Sequence, residues 1–93
     1  MPARQPPAAY FQAAERLARR VHARRTELGL TQEQLAERAG ISRNQIQNIE
    51  RNRNNRKDPR TGLPGPANAR LDTIFLLAEA LDLAVTDLLR PND

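Results

Sequence analysis

The 93-residue sequence contains no cysteine, no tryptophan and a single histidine, His22. Without cysteine, neither disulfides nor thiolate metal sites can form, and a reducing compartment is natural, so we expect a cytoplasmic protein. One histidine is too few for a zinc cluster, and the sequence suggests neither a metal nor a cofactor. No apolar stretch approaches the length of a membrane span, so no membrane association is expected.

Aromatic residues are also scarce, since Tyr10, Phe11 and Phe75 are the only three. We expect Phe75 in the core, which leaves no platform on which the bases of single-stranded nucleic acid would stack. The sequence has no nucleophile-and-base constellation and no glycine-rich phosphate loop. We therefore expect no catalytic residues and no enzyme activity, and we interpret His22 as a solvated residue.

Positive charge is concentrated in the first two thirds of the chain. Residues 1–60 contain 13 Arg and Lys against 6 Asp and Glu, a net charge of +7, whereas residues 61–93 contain 2 against 5, a net charge of −3. A surface that binds a polyanion has this character, because neutralised phosphates release counterions. The alternative is a solvated basic face. The charge coincides with the motif described next, which favours polyanion binding.

Two capped helix starts lie eleven residues apart, at Thr31 and Ser42. Each hydroxyl residue is followed three positions later by a glutamine, so each pair can form a capping box. Gly40 supplies the positive φ at which the first of these helices can end, which leaves a turn of three residues. Two short helices joined by such a turn form a helix-turn-helix, over about residues 31–52.

Helical periodicity predicts five helices and no strand. The first opens at Pro6 and Pro7 and ends at Gly29, and the others cover about residues 32–39 and 43–51, a segment that begins near residue 68, and residues 85–89. A Pro-, Gly- and Asn-rich segment, about residues 52–68, predicts a long basic loop between the third and fourth helices. The expected architecture is a single all-α domain over residues 1–93. In the fourth helix one apolar stripe should face the core: Leu71, Ile74, Phe75, Ala78 and Leu81.

The third helix is expected to have one apolar face and one polar face. Ile46 and Ile49 share the inner face, and the outer face carries only Arg, Asn and Gln. Their planar, forked groups match the edges of guanine and adenine in the major groove of DNA. An ordinary exposed helix face would commonly include Glu and Lys instead. We therefore predict base contacts from Arg43, Asn44, Gln47 and Asn48.

The first part of the loop segment is strongly basic. Residues 51–60 contain five cations and one acid. One hypothesis is an arm that contacts DNA phosphates through Arg53, Arg56 and Lys57. The alternative is a surface loop that touches no DNA, because loop length alone does not decide between the two.

Residues 28–50 and 71–81 resemble the phage-repressor and Cro-like helix-turn-helix proteins, also called the XRE family. The resemblance extends over about residues 16–89 and implies a compact, five-helix, lambda-repressor-like fold that binds double-stranded DNA. It also implies a phosphate contact from Gln32, at the start of the second helix.

Further roles follow from the same resemblance. It implies contacts to the DNA backbone from Arg51 and Asn52, just after the third helix, and a structural ion pair between Arg25 and Glu50. The family commonly has a glycine soon after the third helix and then a short link. This chain has Asn52 and the basic loop at that point.

A single recognition helix contacts few base pairs, so a homodimer is expected, formed in solution or only on DNA. The resemblance implies a contact through Val85, Leu88 and Leu89, and the alternative is that these residues close the core. Tyr10 and Phe11 likewise cover the core or contact a second subunit. The expected function is a sequence-specific transcription regulator, most simply a repressor. The alternative is an antitoxin-like module that binds an unknown protein partner and regulates its own gene through DNA binding.

Overall fold

The structure is a computed structural model that describes residues 6–53 and 69–91. These residues are all-helical and form α1 (Ala8–Glu27), α2 (Gln32–Ala39), α3 (Arg43–Glu50), α4 (Leu71–Ala80) and α5 (Val85–Leu89). The all-α prediction is confirmed, and α2, α3 and α5 begin where the sequence indicates. Helix α4 begins at Leu71, three residues later than expected. Within the described ranges, none of the helices has the length and apolar character that a membrane crossing requires.

Both predicted capping boxes are present. The Thr31 hydroxyl accepts the Gln34 N–H at 3.0 Å, and the Gln34 side chain accepts the Thr31 N–H at 2.9 Å. Ser42 and Gln45 form the same pair of bonds at 3.1 and 2.9 Å. These reciprocal bonds satisfy backbone donors that a helix N-terminus leaves without partners, and they fix where α3 begins.

Four of the helices are followed, one or two positions after their last residue, by a residue with positive φ. After α3 this residue is Asn52, whose N–H donates to the Ile49 carbonyl at 3.1 Å, while the Arg53 N–H donates to the Asn48 carbonyl at 2.9 Å. Asparagine tolerates this conformation better than most residues, so it serves where the family commonly has glycine. The four residues are Gly29, Gly40, Asn52 and Asp82.

The core lies where α1 crosses α3 and α5, with α2 packed between α3 and α4. Leu88 of α5 is fully buried, and Val85 and Leu89 are half-buried against the same core. The residues of α5 therefore close the core, and Leu88 is unavailable for the dimer contact that the resemblance implied. The largest fully buried side chains are Val21, Leu35, Ile46, Leu77, Leu81 and Leu88.

The predicted core stripe of α4 is partly wrong. Leu71 is 70% exposed and Phe75 is 56% exposed, whereas Thr73 and Leu77 are buried. Because α4 is apolar on nearly every side, periodicity does not select its inner face. Packing against α2 and α5 selects it, and this leaves Leu71, Phe75 and Leu76 on the surface.

The two aromatic residues at the start of α1 pack against each other. The rings of Tyr10 and Phe11 meet edge to face with centroids 5.5 Å apart. Phe11 is 36% exposed, and neither ring belongs to the buried core. The expected core covering is therefore not found for Phe11.

Candidate nucleic-acid interface

The helix α3 has the two faces that the sequence predicts. Ile46 and Ile49 are buried and hold the helix on the core. On the other face, Arg43 and Asn44 in the first turn are exposed. The most accessible polar groups therefore lie at the N-terminal end of α3, the part of a recognition helix that enters a major groove.

The other two predicted base contacts lie deeper. Gln47 and Asn48, one turn along α3, are both half-buried, and the Oδ1 atom of Asn48 is buried. The structure thus places the four candidates on one side of α3 but divides them into two exposed and two partly covered residues.

A buried carboxylate fastens the C-terminal end of α3 to α1. Arg25 donates from Nε to Glu50 Oε2 at 2.7 Å and from Nη2 to Oε1 at 3.0 Å, and only 5% of the Glu50 side chain is exposed. A third donor of Arg25, Nη1, bonds the Leu30 carbonyl at 2.7 Å. The two-pronged geometry is the strong form of an arginine–carboxylate contact, and it orients α3 relative to α1 and the start of α2.

The charges of this pair stabilise each other. Burial by itself would raise the pKa of Glu50, but hydrogen bonds from Arg25 and His22 and the nearby positive charge lower it below the ordinary value. The hydrogen bonds to Glu50 raise the pKa of Arg25. Both groups are therefore charged at neutral pH.

The start of α2 lies beside this pair. Gln32 donates from Nε2 to Glu50 Oε1 at 3.4 Å, the longest of the bonds to that carboxylate. Gln32 also lines a polar cleft of about 410 Å³ together with Thr31, Glu33, Arg25 and Arg43. Arg43, which is predicted to contact bases, thus lines the same cleft as Gln32, which is predicted to contact a phosphate. The cleft lies at the N-terminus of α2, and helix N-termini favour anions.

His22, which was expected to be solvated, joins the same cluster. Its ring is exposed, but Nδ1 lies 2.8 Å from Glu50 Oε1. Residues 22 and 25 are one helical turn apart, so a partner of Arg25 is within reach of His22. That spacing is the signal in the sequence that could have indicated this contact.

The residues after α3 are only partly described. Arg51 is exposed, and Asn52 and Arg53 are half-buried. Arg56 and Lys57 lie outside the described residues, as does the rest of the predicted loop beyond Arg53. Arg51 therefore lies at the surface at the end of α3, next to the face that is predicted to contact bases.

Several cations of the basic segment bind the protein itself. Arg16, Arg20 and Arg24, spaced four residues apart on α1, donate to the carbonyls of Leu89, Asp87 and Leu81, each at 3.0 Å. These carbonyls lie at the C-terminal ends of α4 and α5, where the backbone lacks intrahelical donors. Part of the positive charge that was expected on a polyanion-binding surface is therefore structural.

Comparisons with known proteins identify the family and the fold of this chain. A family model described as Helix-turn-helix matches residues 21–59. The crystal structure of a hypothetical transcription factor, NHTF, from Neisseria is 29% identical with a TM-score of 0.68, and the alignment covers 98% of this chain and 87% of that one. No curated protein gives a significant match.

Two further structures have similar folds. The restriction-modification controller protein C.AhdI from Aeromonas hydrophila is 31% identical with a TM-score of 0.63, over 81% of this chain and 94% of that one. SinR, a master regulator for biofilm formation solved in complex with DNA, is 26% identical with a TM-score of 0.62, over 78% and 97%. The predicted resemblance is confirmed, and the chain belongs to the XRE family of helix-turn-helix proteins, a family of DNA-binding transcription regulators.

Proposed function

We propose that this protein is a sequence-specific regulator of transcription that binds the major groove of duplex DNA with α3 and acts as a repressor. The exposed Arg43 and Asn44 at the start of α3 carry the proposal, because their side chains are of the types that pair with guanine and adenine edges. A repressor is the simplest form, since occupancy of a promoter needs no further surface.

Double-stranded DNA is a better partner than single-stranded nucleic acid. Phe75 is exposed, but it lies on α4 beside Leu71, Asp72, Leu76 and Glu79. Single-strand binding sites combine stacked aromatic residues with a positively charged groove, and an acidic, aliphatic setting does not supply that charge.

Selection of duplexes from a random pool, repeated at two salt concentrations, tests the proposal. We expect one preferred sequence that persists at the higher concentration, because base contacts depend less on salt than phosphate contacts do. A pool that stays random would contradict sequence-specific binding.

Phosphate contacts are proposed for Gln32, Arg51 and Asn52 and for the arm that contains Arg53, Arg56 and Lys57. Each phosphate neutralised adds about 0.9 to the slope of log affinity against log salt. Replacing the three arm cations together with glutamine should therefore lower that slope by up to about 3. An unchanged slope would favour a loop that does not touch DNA.

The protein is proposed to act as a homodimer, formed in solution or on DNA, because one α3 contacts few base pairs. Leu71, Phe75 and Leu76 form an exposed apolar patch on α4, and such patches mark interaction surfaces. We assign the dimer contact to this patch rather than to α5. Phe75→Glu should lower the mass measured by light scattering or, if the dimer forms only on DNA, abolish two-to-one complexes. Thr86→Glu on α5 is the control, and unchanged assembly of the Phe75 variant would contradict the assignment.

A second candidate function uses the same patch. One structure with a similar fold, 26% identical with a TM-score of 0.63, is described as a SinR–SinI protein complex. An antitoxin-like protein would cover its α4 patch with a different protein and would bind DNA to regulate its own gene. Self-association through Phe75 would favour the homodimer over this alternative.

The proposed activity requires no chemistry on a substrate. The protein is proposed to act in the cytoplasm by binding alone, without enzyme activity or a cofactor. The measured quantity that defines its function is therefore the ratio of specific to non-specific DNA affinity.

A further inference from the structure

The apolar patch on the outer face of α4 extends along the whole helix. Leu71 is 70% exposed, Phe75 56% and Leu76 41%, and Asp72 and Glu79 line the same surface. Leu71 is the first residue of α4 and Glu79 is the last but one. A partner that covers the whole patch therefore meets both ends of α4.

The two ends of this patch carry opposite charges. At the N-terminal end, Arg70 is 81% exposed, and its Nε lies 3.4 Å from Oδ1 of Asp72, which places the guanidinium beside the patch. A guanidinium has five N–H donors, so Arg70 can bind a second carboxylate while it keeps Asp72. At the C-terminal end Glu79 is exposed, and within residues 6–53 and 69–91 its carboxylate forms no ion pair.

Both charges oppose the dipole of their own helix. A helix N-terminus is positive and favours anions, but Arg70 is the N-cap residue of α4. A helix C-terminus is negative and favours cations, but Glu79 lies in the last turn. Each charge would therefore be stabilised at the opposite end of a second α4 helix.

A two-fold axis brings the same patch of two subunits together. If the two α4 helices were parallel, Arg70 would face Arg70 and Glu79 would face Glu79. If they are antiparallel, each Arg70 lies opposite a Glu79, because the two residues are at opposite ends of the patch, about 14 Å apart along the helix. Phe75 lies close to the midpoint between them, so the two Phe75 rings meet near the axis.

We propose that the protein dimerises through two antiparallel α4 helices, and that Arg70 and Glu79 determine this orientation by pairing with each other across the interface. A second copy of this chain is the partner, because the charges of the patch are complementary to those of the same patch turned by 180°. The inference rests on the proposed function, because it concerns the homodimer that is assigned there to the α4 patch.

A charge exchange tests this pairing. Arg70→Glu alone puts a carboxylate opposite Glu79 at both ends of the interface, and Glu79→Arg alone puts a cation opposite Arg70. Each change should raise the dissociation constant of the dimer about 4- to 25-fold, because an exposed pair changes an equilibrium by about two- to fivefold and a dimer contains two such pairs. An equimolar mixture of the two variants should recover the wild-type dissociation constant, since both ends of the mixed dimer again carry opposite charges.

Analytical ultracentrifugation measures the dissociation constant in solution, and titration of the selected duplex counts two-to-one complexes if the dimer forms only on DNA. Arg19→Glu and Glu15→Arg, at exposed positions of α1, are the matched controls and should leave assembly unchanged, singly or mixed. Each test substitution suits the dipole of its own helix, so the melting temperature of the dilute monomer should not fall. Weaker assembly then cannot be a result of unfolding.

Failure of this pairing is distinguishable from failure of the proposed function. Single variants that assemble like the wild type would overturn the pairing, and so would weakened variants whose mixture stays weak. Either result would leave base recognition by α3 and the Phe75→Glu test of the patch standing. A wild type that stays monomeric both in solution and on the selected duplex would overturn the pairing together with the proposed homodimer.

Discussion

The arginines of α1 and those of α3 have the same charge but different partners. Arg16, Arg20 and Arg24 donate to backbone carbonyls of α4 and α5. Arg43 and Arg51, at the two ends of α3, are exposed. The count of cations along the chain therefore does not locate a DNA surface. The group that each guanidinium meets in the fold decides whether it stabilises the protein or remains available to a ligand.

The largest expected effect concerns the pair that joins the two helices. Glu50→Ala should lower the free energy of unfolding by about 3–5 kcal/mol, because Arg25, with 12% of its side chain exposed, would lose its carboxylate. Urea unfolding measures this change. Glu50→Gln keeps an acceptor and should lose less, and a loss below about 1 kcal/mol would show that the pair is not a structural tie.

The next effect concerns the exposed arginine at the start of α3. Arg43→Ala should weaken binding to the selected duplex by about 1–3 kcal/mol. Because Arg43 lines the cleft with Gln32, part of this loss should also appear with random DNA. Titration of both duplexes checks this, with little change expected in melting temperature. Unchanged affinity for both would exclude Arg43 from the interface.

A smaller effect on stability is expected from the α1 arginines that donate to backbone carbonyls. Arg20→Met should lower the free energy of unfolding by about 1 kcal/mol, since it removes a hydrogen bond from a charged donor at a half-buried position. The salt slope of DNA binding should not change. Arg19→Met on the same helix is the matched control and should leave stability unaltered. If Arg20→Met lowered the salt slope instead, the distinction between the two groups of arginines would be wrong.

The smallest effect appears only in acid. The pKa of Glu50 is lower in the folded protein than its ordinary value, so the folded state favours the ionised carboxylate. This contribution is complete above about pH 4.3 and is lost as the pH falls through the lower folded value. Urea unfolding across the acid range should show a shallower decline for Glu50→Gln than for the wild type. Parallel declines would contradict this contribution.

Features set by neighbouring residues could be predicted from the sequence. The capping boxes at Thr31 and Ser42 depend on side chains three residues apart, and Gly40 ends α2 because glycine adopts positive φ easily. The two faces of α3 follow from its periodicity. The pairing of Arg25 with Glu50 came from the family resemblance, since nothing local connects residues 25 positions apart.

Features set by packing could not be predicted. The apolar pattern of α4 allows several inner faces, so the exposure of Leu71 and Phe75 depends on how α2 and α5 dock. The contacts of Arg20 with α5 join residues 67 positions apart. The turns at Asn52 and Asp82 use residues that adopt positive φ less readily than glycine, so their sequence signal is weak.

The most direct test of base recognition by α3 measures, in two variants, the ratio of the affinities for the selected duplex and for a scrambled duplex. Asn44→Ala should lower this ratio about tenfold while the melting temperature stays unchanged, because Asn44 is exposed on α3 and is assigned to a base. Arg20→Met should leave the ratio unchanged and lower the melting temperature. Equal losses of Asn44→Ala on both duplexes would contradict base recognition by the start of α3.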